Sequence, residues 1–323
     1  MMSGTWIRGR PLPEPAGMPP PLVVWVVSDG KPGHVNQSLG LAEALARATP
    51  TAIHRLPAMP AWRAWLGLLL KRVPGGTFPK PDLIVGAGHA THLTLLALQR
   101  AHGGRSVVLM KPSLPRRCFD LCILPRHDGV AEDAHTLATA GALNRIQPAA
   151  ARDAGHGLIL VGGTSPHFEW NSDAVQLQIK SILARTPDTR WTLTTSRRTP
   201  ADFVGALQAF PNLTVISHTA TPPDWLPAQL ARSSTVWVTP DSASMVFEAL
   251  TAGADVGVFD LPVNPKSRVG RAIAQLADAQ RITRFVHWCA HGKLHPNLHP
   301  LAEADRCAVW ILDWLKKKNM ANG

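Results

Sequence analysis

An α/β protein of two parallel-sheet domains facing across a cleft is the architecture this sequence predicts. Three observations carry that expectation. The 323 residues exceed one typical domain and suit two. Continuous apolar, β-branched runs, the pattern of strands buried on both faces, alternate with Gly-containing turns and helical segments. The alternation breaks at about 148–156 and then restarts, which argues for two sheets rather than one. The expected organisation is a loose tail over 1–21, a first domain over 22–150, a second over 151–300, and a helix within 301–323 that could cross back onto the first domain.

Leu22 to Val27 is the first buried-strand run. The turn Ser28-Asp-Gly-Lys-Pro-Gly-His34 follows, and Asn36 to Ala48 reads as a helix with Leu39, Leu41, Ala42 and Leu45 on its apolar face. Asp82 to Val85 is the next strand, leading through Gly86-Ala-Gly-His89 into a helix carrying Leu93, Leu95, Leu96 and Leu98. Ser106 to Met110 and Leu121 to Leu124 are short strands. The second half repeats the unit with Leu158 to Val161, Gly162 to Ser165, and a helix over 173–184. Later strands fall at 191–195, 213–216 and 235–238, and the last helix runs from Leu301 to Leu315.

In open parallel sheets ligands sit beyond the carboxyl ends of the strands, so those turns are the candidate sites. After the first strand, the turn offers backbone amides ahead of a helix N-terminus, together with Asp29, Lys31 and His34. His34 or Asp29 could transfer a proton; Gly33, Asn36 and Gln37 would line the same cleft. Gly86-Ala-Gly-His89 lacks the third glycine of a dinucleotide fingerprint and reads as a cleft loop, with His89 or His92 near substrate and Lys111 beyond the next strand.

In the second half, Gly162 and Gly163 would let backbone approach a phosphate, with Thr164 and Ser165 adding hydroxyls. Ser196, Arg197 and Arg198 follow a strand, and a guanidinium matches phosphate oxygens bidentately. At Thr239-Pro-Asp-Ser-Ala-Ser-Met-Val-Phe-Glu248 the chain breaks, and Asp241 or Ser242 caps a new helix. Ser242 and Ser244 lie in its positive first turn, suited to a diphosphate, and Glu248 lies one turn on, suited to ribose hydroxyls.

Trp62 to Arg72 combines Trp62, Trp65 and a leucine cluster with Lys71 and Arg72, a composition suited to a helix in a membrane interface. No run approaches the roughly 20 apolar residues of a spanning helix. A net charge of +11 attracts phosphodiester substrates, nucleic acid or an acidic membrane alike. No basic repeat with interleaved aromatics is present, so nucleic acid is not the expected partner. Four cysteines in so long a chain make no disulfide framework, and neither zinc-type spacing nor an Asp-x-Asp triplet marks a metal site.

These motifs together resemble the mitochondrial-fission ELM family, which includes many bacterial proteins described as glycosyltransferases. The resemblance runs from about Val24 to Trp288. It rests on Ser28 to His34 with Asn36-Gln-Ser38, Gly86 to His89, Lys111-Pro-Ser113, Thr195 to Pro200, and Asp241 to Met245. More distantly the chain is similar to MurG-like enzymes, whose first Gly-rich loop ends in a histidine, as at His34, and whose second domain holds the ribose through a glutamate, as at Glu248. Here Asp-Gly-Lys-Pro-Gly replaces their run of glycines.

The resemblance implies a GT-B-like pair of Rossmann-like domains. The family leaves the activity itself undefined, and the leading reading of the residues is an inverting glycosyltransferase, metal-independent for want of an Asp-x-Asp triplet and cofactor-free, that moves a sugar from a nucleotide sugar to a lipid-linked or envelope acceptor. Such an enzyme is expected in the cytoplasm, peripheral on the inner face of the membrane. A membrane-bound adaptor without activity is the non-enzyme alternative. A sugar-nucleotide epimerase is the enzyme alternative; it is disfavoured because epimerases of the short-chain dehydrogenase type deprotonate through a tyrosine, and the chain contains none.

Overall fold

The computed structural model describes residues 20–73, 78–126, 129, 131–207, 209–222 and 224–320. The tail expected over 1–21 falls outside them except for its last two residues. Two six-stranded sheets are present, and every strand pairing recorded within them is parallel.

The first half contains β1 (Leu22–Ser28), α1 (Pro32–Ala48), β2 (Thr51–Pro57), α2 (Ala61–Leu70), β3 (Leu83–Ala87), α3 (His92–His102), β4 (Arg105–Leu109), β5 (Leu121–Pro125) and β6 (Thr136–Thr139). Its strand order is β2-β1-β3-β4-β5-β6. Val24 to Val27 of β1 are buried on both faces, as their unbroken apolar run requires. One face of the sheet packs against α1, the other against α2 and α3.

The second half contains β7 (Asp153–Leu160), α4 (Ser172–Arg185), β8 (Arg190–Thr194), β9 (Leu213–Ile216), α5 (Trp225–Arg232), β10 (Ser233–Val238), α6 (Ala243–Ala252), β11 (Asp255–Val258), α7 (Arg268–Asp278), β12 (Thr283–Arg284), α8 (Phe285–His291) and α9 (Glu303–Met320). Its sheet runs β12-β11-β10-β7-β8-β9. α9 does not stay with this sheet. Cys307, Ala308, Ile311 and Trp314 join the core that Leu41 and Leu45 of α1 help to form, and Arg47 meets Asp305 at 2.6 Å.

Strand order reverses between β1 and β3 in the first sheet and between β7 and β10 in the second. Those are the switch points where adjacent crossovers diverge and open a crevice. The turns after β1, β3, β7 and β10 are therefore the ones the topology leaves free to bind.

The segment 140–146 is wedged between the halves. A Cβ on Gly40 of α1 would collide with the Asn144 carbonyl at 2.3 Å, and one on Gly141 with the Phe247 ring of α6 at 2.3 Å. Asn144 donates to Thr251 of α6 at 3.1 Å. Glycine at positions 40 and 141 is thus what lets the two halves approach.

Candidate active site

The first turn is shorter than the sequence pattern suggests. α1 begins at Pro32, not Asn36, with proline at its first helical position, where a missing N–H costs nothing. His34 accordingly lies in the first helical turn rather than in a loop. Ser28 Oγ accepts from the Gly30 amide at 3.1 Å, and Gly30 takes a positive φ of 79° to complete the reversal. An added Cβ at Gly30 or Gly33 would meet nothing within 4 Å, so this backbone faces open space.

Asp29 and His34 form a pair. His34 Nδ1 lies 2.9 Å from Asp29 Oδ2, with the Asp29 side chain nearly buried and that of His34 partly open. With Nδ1 donating, Nε2 is the ring nitrogen left to accept a proton. Burial alone would raise the Asp29 pKa; the hydrogen bonds from His34 and the Lys31 amide, and the charges of both residues, more than offset it and hold it below the usual carboxylate value.

Gly88, after β3, supports the same imidazole. It has φ +83°, and a Cβ there would lie 2.3 Å from the His34 ring. Gly86-Ala-Gly-His89 thus makes room for His34 rather than for a dinucleotide. His89 is exposed at the cleft rim, but His92 is buried, bonded to Ser113 Oγ at 3.1 Å and pressed on Phe119, so it is not a surface group near substrate. Lys111 is exposed beside a cavity of about 360 Å³ that Arg116 also lines. Met110, just before it, holds a positive φ of 71°, a strain that structures tolerate mostly at functional loops.

In the second half the glycines do not form the phosphate cradle their sequence suggests. The Gly162 amide donates to Thr239 Oγ1 at 2.7 Å and the Gly163 amide to Asp241 Oδ2 at 3.2 Å. A Cβ on Gly162 would strike the Asp241 carboxylate, and one on Gly163 the Arg198 carbonyl. These glycines close the loops on one another; their amides are already used and do not await a phosphate. Ser165 Oγ accepts from His167 N, and Ser196 Oγ donates to the Gly162 carbonyl, while Thr164 stays exposed.

Asp241 is the keystone of that arrangement rather than a helix cap. Its carboxylate is buried and receives Arg198 at 2.7 Å, which also donates to the Thr164 carbonyl. Burial raises its pKa against the opposing pull of Thr239, Arg198 and the Gly163 amide. Arg198 is therefore committed to Asp241 although partly open to solvent, and Arg197 is exposed in the same turn. Ser242 occupies the N-cap position of α6 without a side-chain cap bond, and Ser244 is exposed one step inside the helix.

Glu248 is buried and accepts from Asn36 Nδ2 at 2.8 Å, across the cleft. Burial pushes its pKa from the usual 4.5 up to about 7, and the Asn36 bond opposes the rise without cancelling it. The folded protein thus holds this proton more tightly than the unfolded chain. The stability tied to it is complete below pH 4.5 and is lost as pH rises through about 7. Glu248→Gln keeps an acceptor for Asn36 and removes that loss. Urea denaturation should show the variant gaining up to roughly 3 kcal/mol over wild type between those two pH values, at about 1.4 kcal/mol per pH unit. An unchanged difference across the range would place the proton elsewhere.

Among the described residues no group of three or more His, Cys, Asp or Glu is placed to hold a metal.

Two parallel sheets, each with its switch-point turns directed into one cleft, define the GT-B architecture shared by two-domain glycosyltransferases and some sugar-nucleotide epimerases. The structure is similar to MurG of Acinetobacter baumannii, with a TM-score of 0.51 and 14% identity over 92% of this chain and 100% of that one. It is similar to a Listeria monocytogenes protein described as a UDP-N-acetylglucosamine 2-epimerase, with a TM-score of 0.62 and 12% identity over 94% and 98%. It is also similar to a UDP-GlcNAc 2-epimerase from Neisseria meningitidis bound to UDP-GlcNAc, with a TM-score of 0.51 and 10% identity over 92% and 99%. At such identities the likeness establishes the fold alone. No curated protein matches the chain in sequence. The chain belongs to the mitochondrial fission ELM1 family, whose sequence model matches residues 32–315.

Proposed function

We propose that the protein is an inverting, metal-independent glycosyltransferase. It takes a sugar from a nucleotide-sugar donor and passes it to a lipid-linked or cell-envelope acceptor, without a resident cofactor. The observation that carries this reading is the Asn36–Glu248 contact at 2.8 Å. It brings α1, which bears His34, against α6, which bears the candidate ribose-binding carboxylate, so base and donor share one cleft.

In this reading His34 Nε2 takes the proton of the acceptor hydroxyl, and Asp29 stabilises the resulting imidazolium. The acceptor oxygen attacks the anomeric carbon as the bond from that carbon to the diphosphate oxygen breaks. The nucleoside diphosphate leaves with the electron pair, met by the N-terminus of α6, by Ser242 and Ser244, and by Arg197. Lys31, Gly33, Gln37, His89 and Lys111 line the acceptor side. Glu248 holds the ribose hydroxyls, its carboxyl shared with Asn36 of the acceptor side. The site would work in the cytoplasm, with the protein peripheral on the inner face of the membrane.

Thermal-shift titration with nucleoside diphosphates and their sugars tests the donor half. A nucleotide that occupies this cleft should raise the apparent stability. Measured above pH 7, where the carboxyl is ionised, Glu248→Ala should weaken it by about 1.5–3 kcal/mol, the range for hydrogen bonds to a charged group. Binding unaffected by Glu248→Ala would remove that residue from the donor site, and no nucleotide binding at all would leave the adaptor reading. The absence of tyrosine speaks only against tyrosine-dependent epimerases, and epimerases exist in this architecture. Epimerised nucleotide sugar formed without any acceptor would overturn the transferase assignment.

A further inference from the structure

Helix α2 is amphipathic in the inverted sense. Trp62, Trp65, Leu66, Leu69 and Leu70 recur at i, i+3, i+4, i+7 and i+8 and so share one face. In a core helix that face would be inward. Here it points out, with Trp62 65%, Trp65 58% and Leu69 74% exposed. The face against the protein is made of Ala64 and Gly67, both buried. A Cβ on Gly67 would strike the Val73 side chain at 2.4 Å, so the helix is seated through its smallest residues with Leu68 partly buried beside them, while Trp62, Trp65, Leu66, Leu69 and Leu70 are turned to the outside. Phe78 is a further exposed aromatic of the first half, set against the His54 ring. Contiguous apolar surface of this kind on a folded chain marks a docking site.

The charges around it select the partner. Arg63 lies over the Trp62 ring at 5.4 Å, Lys71 and Arg72 are exposed at the helix's carboxyl end, and α2 contains no acidic residue. A symmetric dimer through this face would bring the cations of the two copies onto one interface to which α2 contributes no acidic residue. An anionic lipid surface meets them with opposite charge, and tryptophan is the side chain best suited to headgroup depth. Among the described residues no helix is long and apolar enough to cross a membrane, so docking would be in the interface plane.

The patch also adjoins the cleft. Just ahead of α2, the Ala58 amide donates to the Ser28 carbonyl at 2.7 Å, and the Met59 amide to Thr94 Oγ1 at 2.9 Å. The helix therefore departs beside the strand end that carries Asp29.

We infer that α2 lies flat in the headgroup region of an anionic phospholipid bilayer. Its tryptophans and leucines are inserted, and Arg63, Lys71 and Arg72 rest on lipid phosphates. The docking stands on the α2 surface alone and needs no nucleotide. It deepens the transferase reading only by putting the cleft beside the bilayer.

The test is co-sedimentation of the full chain with vesicles of phosphatidylcholine alone or mixed with phosphatidylglycerol, at low and high salt. Wild type should pellet with the mixed vesicles, much less with the neutral ones, and less as salt rises. Trp65→Ala with Leu69→Ala should abolish pelleting. Lys71→Gln with Arg72→Gln should weaken it roughly thirty-fold, the loss of two cations at an anionic surface. All four side chains are exposed, so both variants should melt as wild type does and keep wild-type nucleotide binding. Pelleting that ignores these substitutions overturns the proposal. So does self-association that the same substitutions abolish while vesicles go unbound, which would name a second copy as the occupant. Failure of nucleotide binding with vesicle binding intact would count against the transferase alone.

Discussion

His34→Ala should abolish sugar transfer while leaving nucleotide and vesicle binding at the wild-type level. General-base catalysis contributes typically about 10²–10⁴-fold, and the loss should fall in that range. The expectation rests on one pair: Nδ1 held at 2.9 Å by Asp29, with the opposite nitrogen left to accept a proton beside backbone that faces open space. Asp29 is a positioning residue in this arrangement. Asp29→Asn should lower kcat with little change in KM, because the imidazolium formed on proton uptake loses its counter-charge. Gly88→Ala supplies an independent check from the other side of the ring. Its Cβ would collide with the imidazole at 2.3 Å and its φ of +83° disfavours any side chain, so transfer should drop although no ionisable group has changed. Retention of transfer by His34→Ala would move the base to Asp29 or His89.

Asp241→Ala should produce the largest loss of stability in the second half and, with it, the loss of donor binding. The Asp241 carboxylate ties three turns together: it accepts from the Gly163 amide after β7, from Arg198 after β8, and itself follows β10. Removing it leaves a buried N–H without its partner and Arg198 without its counter-charge. Because Arg198 is partly open to solvent, the loss should lie near the lower end for a broken buried ion pair, about 2–3 kcal/mol by urea denaturation. Arg198→Lys keeps the charge but not the planar fork and should give a smaller loss of the same kind. If Asp241→Ala kept wild-type stability but lost nucleotide binding, the carboxylate would be a ligand group rather than a tie between loops.

The elements most visible in the sequence are those whose burial is complete. Val24 to Val27 and Leu158 to Leu160 announce themselves because strands covered on both faces are apolar throughout. β2 and β6 stand at the edges of the first sheet and carry no such run. Thr51-Ala-Ile-His-Arg-Leu-Pro57 carries polar residues because one edge lacks a neighbour, and Thr136-Leu-Ala-Thr139 is only four residues long. α1 starts four residues before its sequence pattern suggests, because Gly33 and Pro32 look like turn formers whereas proline is at home in a helix's first turn.

By itself the sequence determined the α/β class, the restart into a second sheet, the stretches that would stand at strand ends, and a Trp- and Leu-rich helix flanked by cations. All of these are local in the chain: burial period, turn chemistry and composition are written within a dozen residues. What only the tertiary structure decided is which of those groups are free. Asn36 meets Glu248 across 212 positions and Arg198 meets Asp241 across the crossovers between β8 and β10, and Gly88 makes room for His34 from a different strand. A carboxylate on a capped helix reads identically in sequence whether it faces solvent, a ribose or an asparagine. Its burial, and so its pKa near 7, is a property of what packs over it. The outward turn of α2 was likewise undecided by its pattern. A stripe at i, i+3, i+4 and i+7 specifies an apolar face, and only the seating of Ala64 and Gly67 against the protein shows that the face points away from the core.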